Sequence, residues 1–457
     1  MITFTNLTGA AEIGANCYLL DMDGTRVVLD VGVHPKKDGN ASKPRLELLG
    51  EEGVDTVFIT HAHLDHIGAL PVLQEEFPRA EVVMTQGTSE VGQAMLHNSV
   101  NVMSARRMFD GIAEYPFFTH GELERAMGLW NVRPYAEPFR VGFRGDVLAT
   151  LYDAGHILGS CGVLLETQGG KTLFYTGDVQ FEDQTILSGA TFPQSGVDIL
   201  IMECTHGDTE RAADYTRERE MERFARVIRE TLEGGGAVLI PVFALGKSQE
   251  LLYELGRFRE QGQIPDVPIY FGGLGAKITA VYDRLADTTP RRLPGMRLRD
   301  VVETAAIPRA TDSYFPVSPG NIYLVSSGMM SPHTLSNRLA AQVLSRPQDA
   351  LLLVGYSDPD SPAGRIRAAE SGSLVRLGED PDKGQAYPLH CRVECFDFSG
   401  HAPRQALLDY AAALAPERIL LVHGDGEALT RMRDMLSERL PGVEITLPES
   451  GKSYRLD

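Results

Sequence analysis

Apolar positions along this chain recur at two different periods, and the period shifts with position. In the first stretch they alternate or form short runs. Ala15–Asp21 and Arg26–Val31 flank Asp23-Gly24, a hairpin turn signal. Val54–Thr60 is a short apolar, β-branched run, which predicts a buried strand. Val82–Thr85, Val147–Ala154 and Leu173–Thr176 follow the same pattern, and helical patterns lie between, at Ala69–Phe77 and Ser89–Val100. The middle of the chain changes style. Glu218–Leu232 carries a helical stripe of Met221, Phe224, Ala225, Ile228 and Leu232, ended by Gly234–Gly236. A buried strand at Ala237–Phe243 and a helix at 248–258 follow, then strands at Ile269–Phe271, Ile322–Ser326 and Ala350–Gly355, separated by helical stretches. Strands alternating with helices predict a parallel α/β unit. The tail returns to a strand at Val393–Phe396, a helix at Ala402–Ala415 and a strand at Ile419–Val422, with no internal repeat.

Composition narrows the class. With 457 residues, 43% hydrophobic and 23% charged, this is an ordinary globular chain of two or three domains, or of one domain with a large insertion. The five cysteines form no CxxC pair and their number is odd, so a reduced, cytoplasmic setting is expected. The first residues lack the basic and apolar regions of a signal peptide, and no apolar run is long enough to span a bilayer. The net charge of −19 argues against binding nucleic acid by overall basicity. That charge is uneven. Residues 1–205 hold 13 basic and 27 acidic side chains, whereas residues 206–384 hold 22 and 24. The middle segment is near neutral and rich in Arg, which sets it apart from its flanks.

Candidate chemistry concentrates directly after the predicted strand at Val54–Thr60. His61, His63, Asp65 and His66 place four potential ligands within six residues. A loop leaving a strand turns alternate side chains to one side, so His61 and His63 can share one ion while Asp65 and His66 reach a neighbouring position. Imidazole and carboxylate are ligands that zinc accepts. Three further candidates each follow a predicted strand: His156, Asp178 and His423.

The motif HxHxDH resembles that of metallo-β-lactamase-fold hydrolases. The separation of His423 from Asp178 resembles that of β-CASP nucleases, which carry an inserted domain in this gap. Met202–Asp208 is similar to their motif A, Phe398–Ala402 to motif B and the His423 segment to motif C. Ile240–Gly246, Gly273–Tyr282 and Ser326–Met330 extend the similarity over nearly the whole chain. It is greatest with the group of the polyadenylation-factor endonuclease and its prokaryotic relatives. The resemblance implies an α/β fold: an αββα sandwich built from residues 1–205 and 385–457, with a parallel α/β β-CASP domain inserted at 206–384. It also implies two zinc ions, one held by His61, His63 and His156, the other by Asp65, His66 and His423, with Asp178 bridging. Asp30 would hold the ligand loop by hydrogen bonds.

The implied activity is hydrolysis of RNA phosphodiester bonds. Two zinc ions lower the pKa of a shared water and neutralise charge on a phosphate oxygen. His401 is the candidate for protonating the leaving oxygen or stabilising the phosphorane, Asp65 stands among the catalytic residues, and Glu203 would orient His401. In the resembling family a motif C histidine goes with RNA-processing members, so His423 favours RNA. The expected reaction is endonucleolytic cutting of single-stranded RNA, with exonuclease activity as a companion. A homodimer is compatible with this reading. Hydrolysis of a small ester, thioester or cyclic phosphodiester, and a non-catalytic RNA-processing subunit, remain as alternatives.

Two motifs fail. The first glycine of a P-loop ending at Gly246-Lys247-Ser248 would fall on Pro241, and Gly272–Gly275 lacks the third glycine of a dinucleotide fingerprint, so no nucleotide cofactor is expected. Candidate substrate contacts are Lys247, Lys277, Ser327, His333 and Arg365. The family's paired glycines after Met330 are replaced by Ser331-Pro332-His333-Thr334, and Gly355–Pro362 carries two aspartates that would repel a phosphate backbone.

Overall fold

The computed structural model describes residues 1–9, 12–143, 145–307, 315–378, 380 and 382–457. The chain forms two compact units, Met1–Arg211 with His401–Asp457, and Ala212–Gly400.

The first unit contains two seven-stranded sheets. One runs in the order Ser453–Arg455, Ile2–Asn6, Tyr18–Met22, Thr25–Leu29, Thr56–Phe58, Glu81–Met84, Trp130–Val132. The other runs Glu444–Thr446, Arg418–Val422, Ile199–Glu203, Thr172–Tyr175, Cys161–Thr167, Val147–Asp153, Phe139–Val141. The predicted hairpin is present: Tyr18–Met22 pairs antiparallel with Thr25–Leu29 around Asp23-Gly24. Alternation along the strands divides the core. Phe4, Leu20, Val27 and Leu29 of the first sheet pack on Ala149, Val163 and Ile201 of the second. The intervening residues Leu19, Val28 and Val57 face outward and pack on Leu96 and Val100 of helix Gln86–Phe109. On the far side of the second sheet, Leu200 and Leu421 pack on Leu407 and Leu408 of helix Arg404–Leu414 and on Met432 of helix Gly426–Arg439. Two sheets face to face with helices on both outer faces make the expected αββα sandwich.

The second unit holds a six-stranded sheet in the order Ala305–Ala306, Ile269–Phe271, Ile322–Val325, Val238–Pro241, Ala350–Val354, Arg392–Phe396. Every neighbouring pair is parallel, as the alternation of strands and helices predicted. Leu239, Tyr323 and Leu351 pack on Leu339 and Val343 of helix Leu335–Val343. A short hairpin of Leu374–Arg376 and Ala386–Pro388 completes the unit. The reading from sequence returned the chain to the first domain at residue 385. Strand Arg392–Phe396 instead pairs with Ala350–Val354 inside the second unit's sheet, which carries that unit on to Gly400. Among the described residues, no helix is long and apolar enough to cross a membrane.

Candidate metal centre

Asp30, the His61–His66 cluster, His156, Asp178, Glu203 and His423 lie at or just after the ends of strands of the first unit, and His401 stands just before helix Arg404–Leu414. Strand Thr25–Leu29 leads to Asp30, and its parallel partner Thr56–Phe58 leads to His61. Asp30 and His423 both adopt left-handed backbone, with φ of 59° and 48°. That conformation costs about 1 kcal/mol or more for a non-glycine residue and persists where surroundings over-determine it. Around Asp30 the surroundings are dense. The fully buried carboxylate accepts from the Thr60 amide at 2.8 Å, the Thr60 hydroxyl at 2.8 Å and the Tyr175 hydroxyl at 2.8 Å, and its Oδ2 lies 2.8 Å from His66 Nδ1. This network ties two strand ends and the other sheet to the ligand loop. Gly32 lets the loop close: a Cβ there would stand 1.7 Å from the carbonyl oxygen of Asp65.

The side chains then gather into two clusters. His61 Nε2 and His156 Nε2 lie 3.1 and 3.2 Å from His63 Nδ1, and His61 Nε2 is 3.4 Å from Asp178 Oδ2. In the second cluster, His423 Nε2 is 3.3 Å from Asp65 Oδ2, and His66 Nε2 is 3.4 Å from Asp178 Oδ1. His61, His63, His156 and Asp178 form one group that could hold a metal ion, and Asp65, His66 and His423 form another. Asp178 offers one oxygen to each cluster, and its Oδ1, though buried, accepts no hydrogen bond. A buried carboxylate oxygen left without a donor fits a cation.

Metal ligation needs neutral imidazoles and ionised carboxylates, and His61, His63, Asp65 and Asp178 are shifted toward those forms. Burial pushes His61 well below the ordinary histidine range and His63 down to about 4. Burial also opposes ionisation of Asp65, but His66 and His423 outweigh it and hold Asp65 at about 2. Asp178 is likewise held well below its usual value, against burial, by His423, His66 and His61. Burial lowers His66, yet Asp178, Asp30 and Asp65 together raise it well above its usual range. Carboxylates that favour positive charge on an imidazole favour a cation beside it for the same reason.

Glu203 ends strand Ile199–Glu203. Its Oε1 accepts from the Val179 amide at 2.7 Å and its Oε2 from the Thr205 amide at 3.2 Å. His401 Nδ1 lies 3.1 and 3.2 Å from the two oxygens, and His401 Nε2 points toward Asp178 Oδ2, 3.9 Å away. Burial pulls the His401 imidazole down, but Glu203 and then Asp178 outweigh it and hold it up at about 9. A group of Asp178, Glu203 and His423 is also compact enough to hold a metal ion. Both Glu203 oxygens thus accept amides and face His401.

Sequence reasoning missed several groups that hydrogen-bond to the candidate ligands and their loops. The Thr205 hydroxyl lies 2.8 Å from His423 Nδ1, leaving Nε2 to face Asp65. Ser160 Oγ accepts the amides of His156 and Ile157, while Thr85 and Thr88 hydroxyls donate to the Gly159 carbonyl, anchoring the His156 loop to helix Gln86–Phe109. Gln184 donates to the carbonyls of Gly155 and His156. Thr205 alone carried a local signal, standing two residues after Glu203.

The five candidate substrate contacts all lie in the second unit. Lys277 and His333 are exposed. Ser327 Oγ accepts from the Ser331 amide at 3.1 Å. The Lys247 ammonium nitrogen is buried without a hydrogen bond, and burial, then Arg217, against Glu250 and Asp397, holds it down at about 7. Arg365 commits its guanidinium to the carbonyls of Asp360, Arg376 and Gly378, so it braces its own loop.

An αββα sandwich with two histidine–aspartate clusters on the rim of its sheets defines a metallohydrolase-type protein. A model of the metallo-beta-lactamase superfamily matches residues 11–211, one of the Beta-Casp domain matches 248–366, and one of the Zn-dependent metallo-hydrolase RNA specificity domain matches 386–448. A ribonuclease of Thermus thermophilus is 31% identical over 459 residues, covering 97% of each chain. Cleavage and polyadenylation specificity factor 73 of Drosophila melanogaster is 29% identical over 434 residues, covering 93% of this chain and 60% of that one. Endoribonuclease ysh1 of Schizosaccharomyces pombe is 29% identical over 451 residues, covering 97% of this chain and 57% of its own. The chain thus spans about three fifths of the length of these two eukaryotic relatives. A crystal structure of a protein of unknown function from Enterococcus faecalis matches over 100% of both chains with a TM-score of 0.56 at 15% identity, a likeness of fold. The chain belongs to the β-CASP group of the metallo-β-lactamase superfamily, a group of metal-binding hydrolases.

Proposed function

We propose that this protein is a zinc-dependent ribonuclease that hydrolyses phosphodiester bonds of single-stranded RNA in the cytoplasm, in RNA processing or decay. The observation that carries the reading is the placement of Asp178, with one carboxylate oxygen in each of two ligand clusters. His61, His63 and His156 would hold one zinc ion, Asp65, His66 and His423 the other, with Asp178 shared. Bound there, two zinc ions supply an ionised water at neutral pH and offset the charge that builds on the phosphate.

The chain's own residues do the rest. Asp30 locks His66 and the ligand loop in register. Thr205 fixes the ring of His423. His401, kept protonated by Glu203, presents its Nε2 hydrogen beside Asp178. From there it donates a proton to the departing ribose oxygen, or a hydrogen bond to the phosphorane as charge develops. Glu203 is the positioning group that fixes the donating nitrogen. Lys277 and His333 are the exposed candidates for phosphate contact in the second unit, and Lys247 contributes its amine where a phosphate draws it into the charged form.

The RNA preference rests on the match to the RNA specificity domain and on relatives named as ribonucleases. Endonucleolytic cutting is proposed as the main reaction, with exonucleolytic trimming beside it. Incubation of zinc-loaded protein with 5′-labelled and 3′-labelled RNA and DNA strands tests this. Internal fragments from RNA at both labels are expected. Products that shorten from one end alone would replace endonuclease by exonuclease, and cleavage of DNA in preference to RNA would overturn the substrate.

A further inference from the structure

Away from the metal centre, two helices of the first unit meet through a reciprocal pair of histidines. His97 lies on helix Gln86–Phe109 and His120 opens helix His120–Met127. Four residues beyond each histidine, its own helix places an oxygen acceptor for the other's ring. Glu124 Oε1 is 3.1 Å from His97 Nε2, and Asn101 Oδ1 is 3.2 Å from His120 Nε2. Ionised Glu124 can only accept, so His97 Nε2 carries the hydrogen. Asn101, facing with its carbonyl oxygen, sets the same state at His120.

In the neutral form of both rings each Nδ1 then keeps a lone pair, and the two atoms lie 2.8 Å apart, with ring centres 5.1 Å apart and ring planes 25° apart. Two lone pairs at that distance repel unless a shared proton or a metal ion joins them. The spacing resembles that of the imidazole nitrogens in the metal centre, 3.1 and 3.2 Å. Two nitrogens 2.8 Å apart, each about 2.1 Å from a shared ion, would subtend about 85° there. That angle suits neighbouring positions of a square-planar or octahedral ion. His120, Asn101 and Glu124 are exposed and His97 is half-buried, so an ion can approach the two nitrogens from the solvent side.

We propose that His97 and His120 form a surface site for one divalent transition ion of the nickel, copper or zinc class, bridging the two helices. Water would complete the coordination. Glu124 and Asn101 would fix the rings by holding each distal nitrogen, the arrangement that raises the basicity of a ligating imidazole. None of the residues of the metal centre takes part.

Calorimetric titration of the zinc-loaded protein with Ni2+ tests this, with zinc content measured before and after. The wild type is expected to take up one equivalent that His97→Gln and His120→Gln each lose, with affinity reduced at least tenfold. Glu124→Gln is expected to weaken it about tenfold. Ni2+ should raise the melting temperature of the wild type and not of either histidine variant. RNA cleavage and circular dichroism should be unchanged in all three, because these side chains are exposed or half-buried and outside the candidate catalytic machinery. Nickel uptake by both histidine variants equal to that of the wild type would overturn the proposal.

Discussion

Replacing Glu203 by Gln keeps the shape of the side chain and removes its charge. In the native arrangement the carboxylate accepts the Val179 and Thr205 amides and faces His401 Nδ1 with both oxygens. A glutamine has one oxygen. It can keep the Val179 bond only by turning its NH2 toward the Thr205 amide and His401 Nδ1, setting donor against donor. Two losses follow. His401 sits at about 9 because Glu203 and Asp178 outweigh burial. Without Glu203 it falls back toward its ordinary value of about 6.5. At pH 8 a group with a pKa of about 9 is about 90% protonated and one at about 6.5 about 3%, a loss of about 30-fold in the acid form. The remaining imidazole also prefers the wrong tautomer, which costs a further factor of about 10 to 100. The combined expectation is a fall of about 300- to 3,000-fold at pH 8, with the basic limb of the pH–rate profile moved down by more than one pH unit. Single-turnover cleavage of 5′-labelled RNA from pH 6 to 10, at equal zinc content, measures both. A Glu203→Gln protein that keeps its rate within twofold and the same basic limb would refute the role given to His401.

The same couple predicts a pH dependence of stability in the metal-free protein. The folded pKa of His401 is raised to about 9 from 6.5. Its contribution is therefore fully present below pH 6.5 and lost as pH rises through 9, up to about 3 kcal/mol in urea denaturation; stability that stays flat over that window would count against it. Thr205→Val should lower zinc affinity about 10- to 100-fold by freeing His423, with Thr205→Ser restoring it, as chelator competition would show. Gly32→Ala should destabilise the fold by about 3 kcal/mol or more, since its Cβ would meet the Asp65 carbonyl at 1.7 Å; an unchanged denaturation midpoint would contradict that packing. Asp178→Ala should lose more than one zinc ion per chain, read by elemental analysis, because its two oxygens face His61 of one cluster and His66 of the other.

Much of the candidate site was legible in the sequence because most of the candidate ligands stand where strands end. His61, His63, Asp65 and His66 are adjacent, and their chemistry was readable without neighbours. His156, Asp178 and His423 became interpretable only as a set, since each alone is a polar residue after a strand. The supporting contacts were invisible for a physical reason. The hydrogen bonds from Tyr175 to Asp30 and from Thr205 to His423 join residues 145 and 218 positions apart. No local pattern encodes them. Short strands were the main loss in the fold. Ile2–Asn6 and Ser453–Arg455 mix Thr, Asn and Ser with single apolar residues, and they form a ladder only because the two ends of the chain meet. Cys161–Thr167 passed unread although it pairs antiparallel with Val147–Asp153. Val393–Phe396 was read as a strand, yet its sheet was not, because parallel pairing with Ala350–Val354 leaves no trace in either segment.

On the proposed function, a metal pair shared by Asp178 drives RNA hydrolysis. Its most direct test is zinc reconstitution of chelator-stripped protein on a 5′-labelled single-stranded RNA. Cleavage is expected to be absent in the stripped protein, to return in full as zinc approaches two ions per chain at the centre, and to remain absent in Asp178→Ala at any zinc concentration. Intact RNA in the zinc-loaded wild type, or wild-type cleavage by Asp178→Ala, would contradict the account.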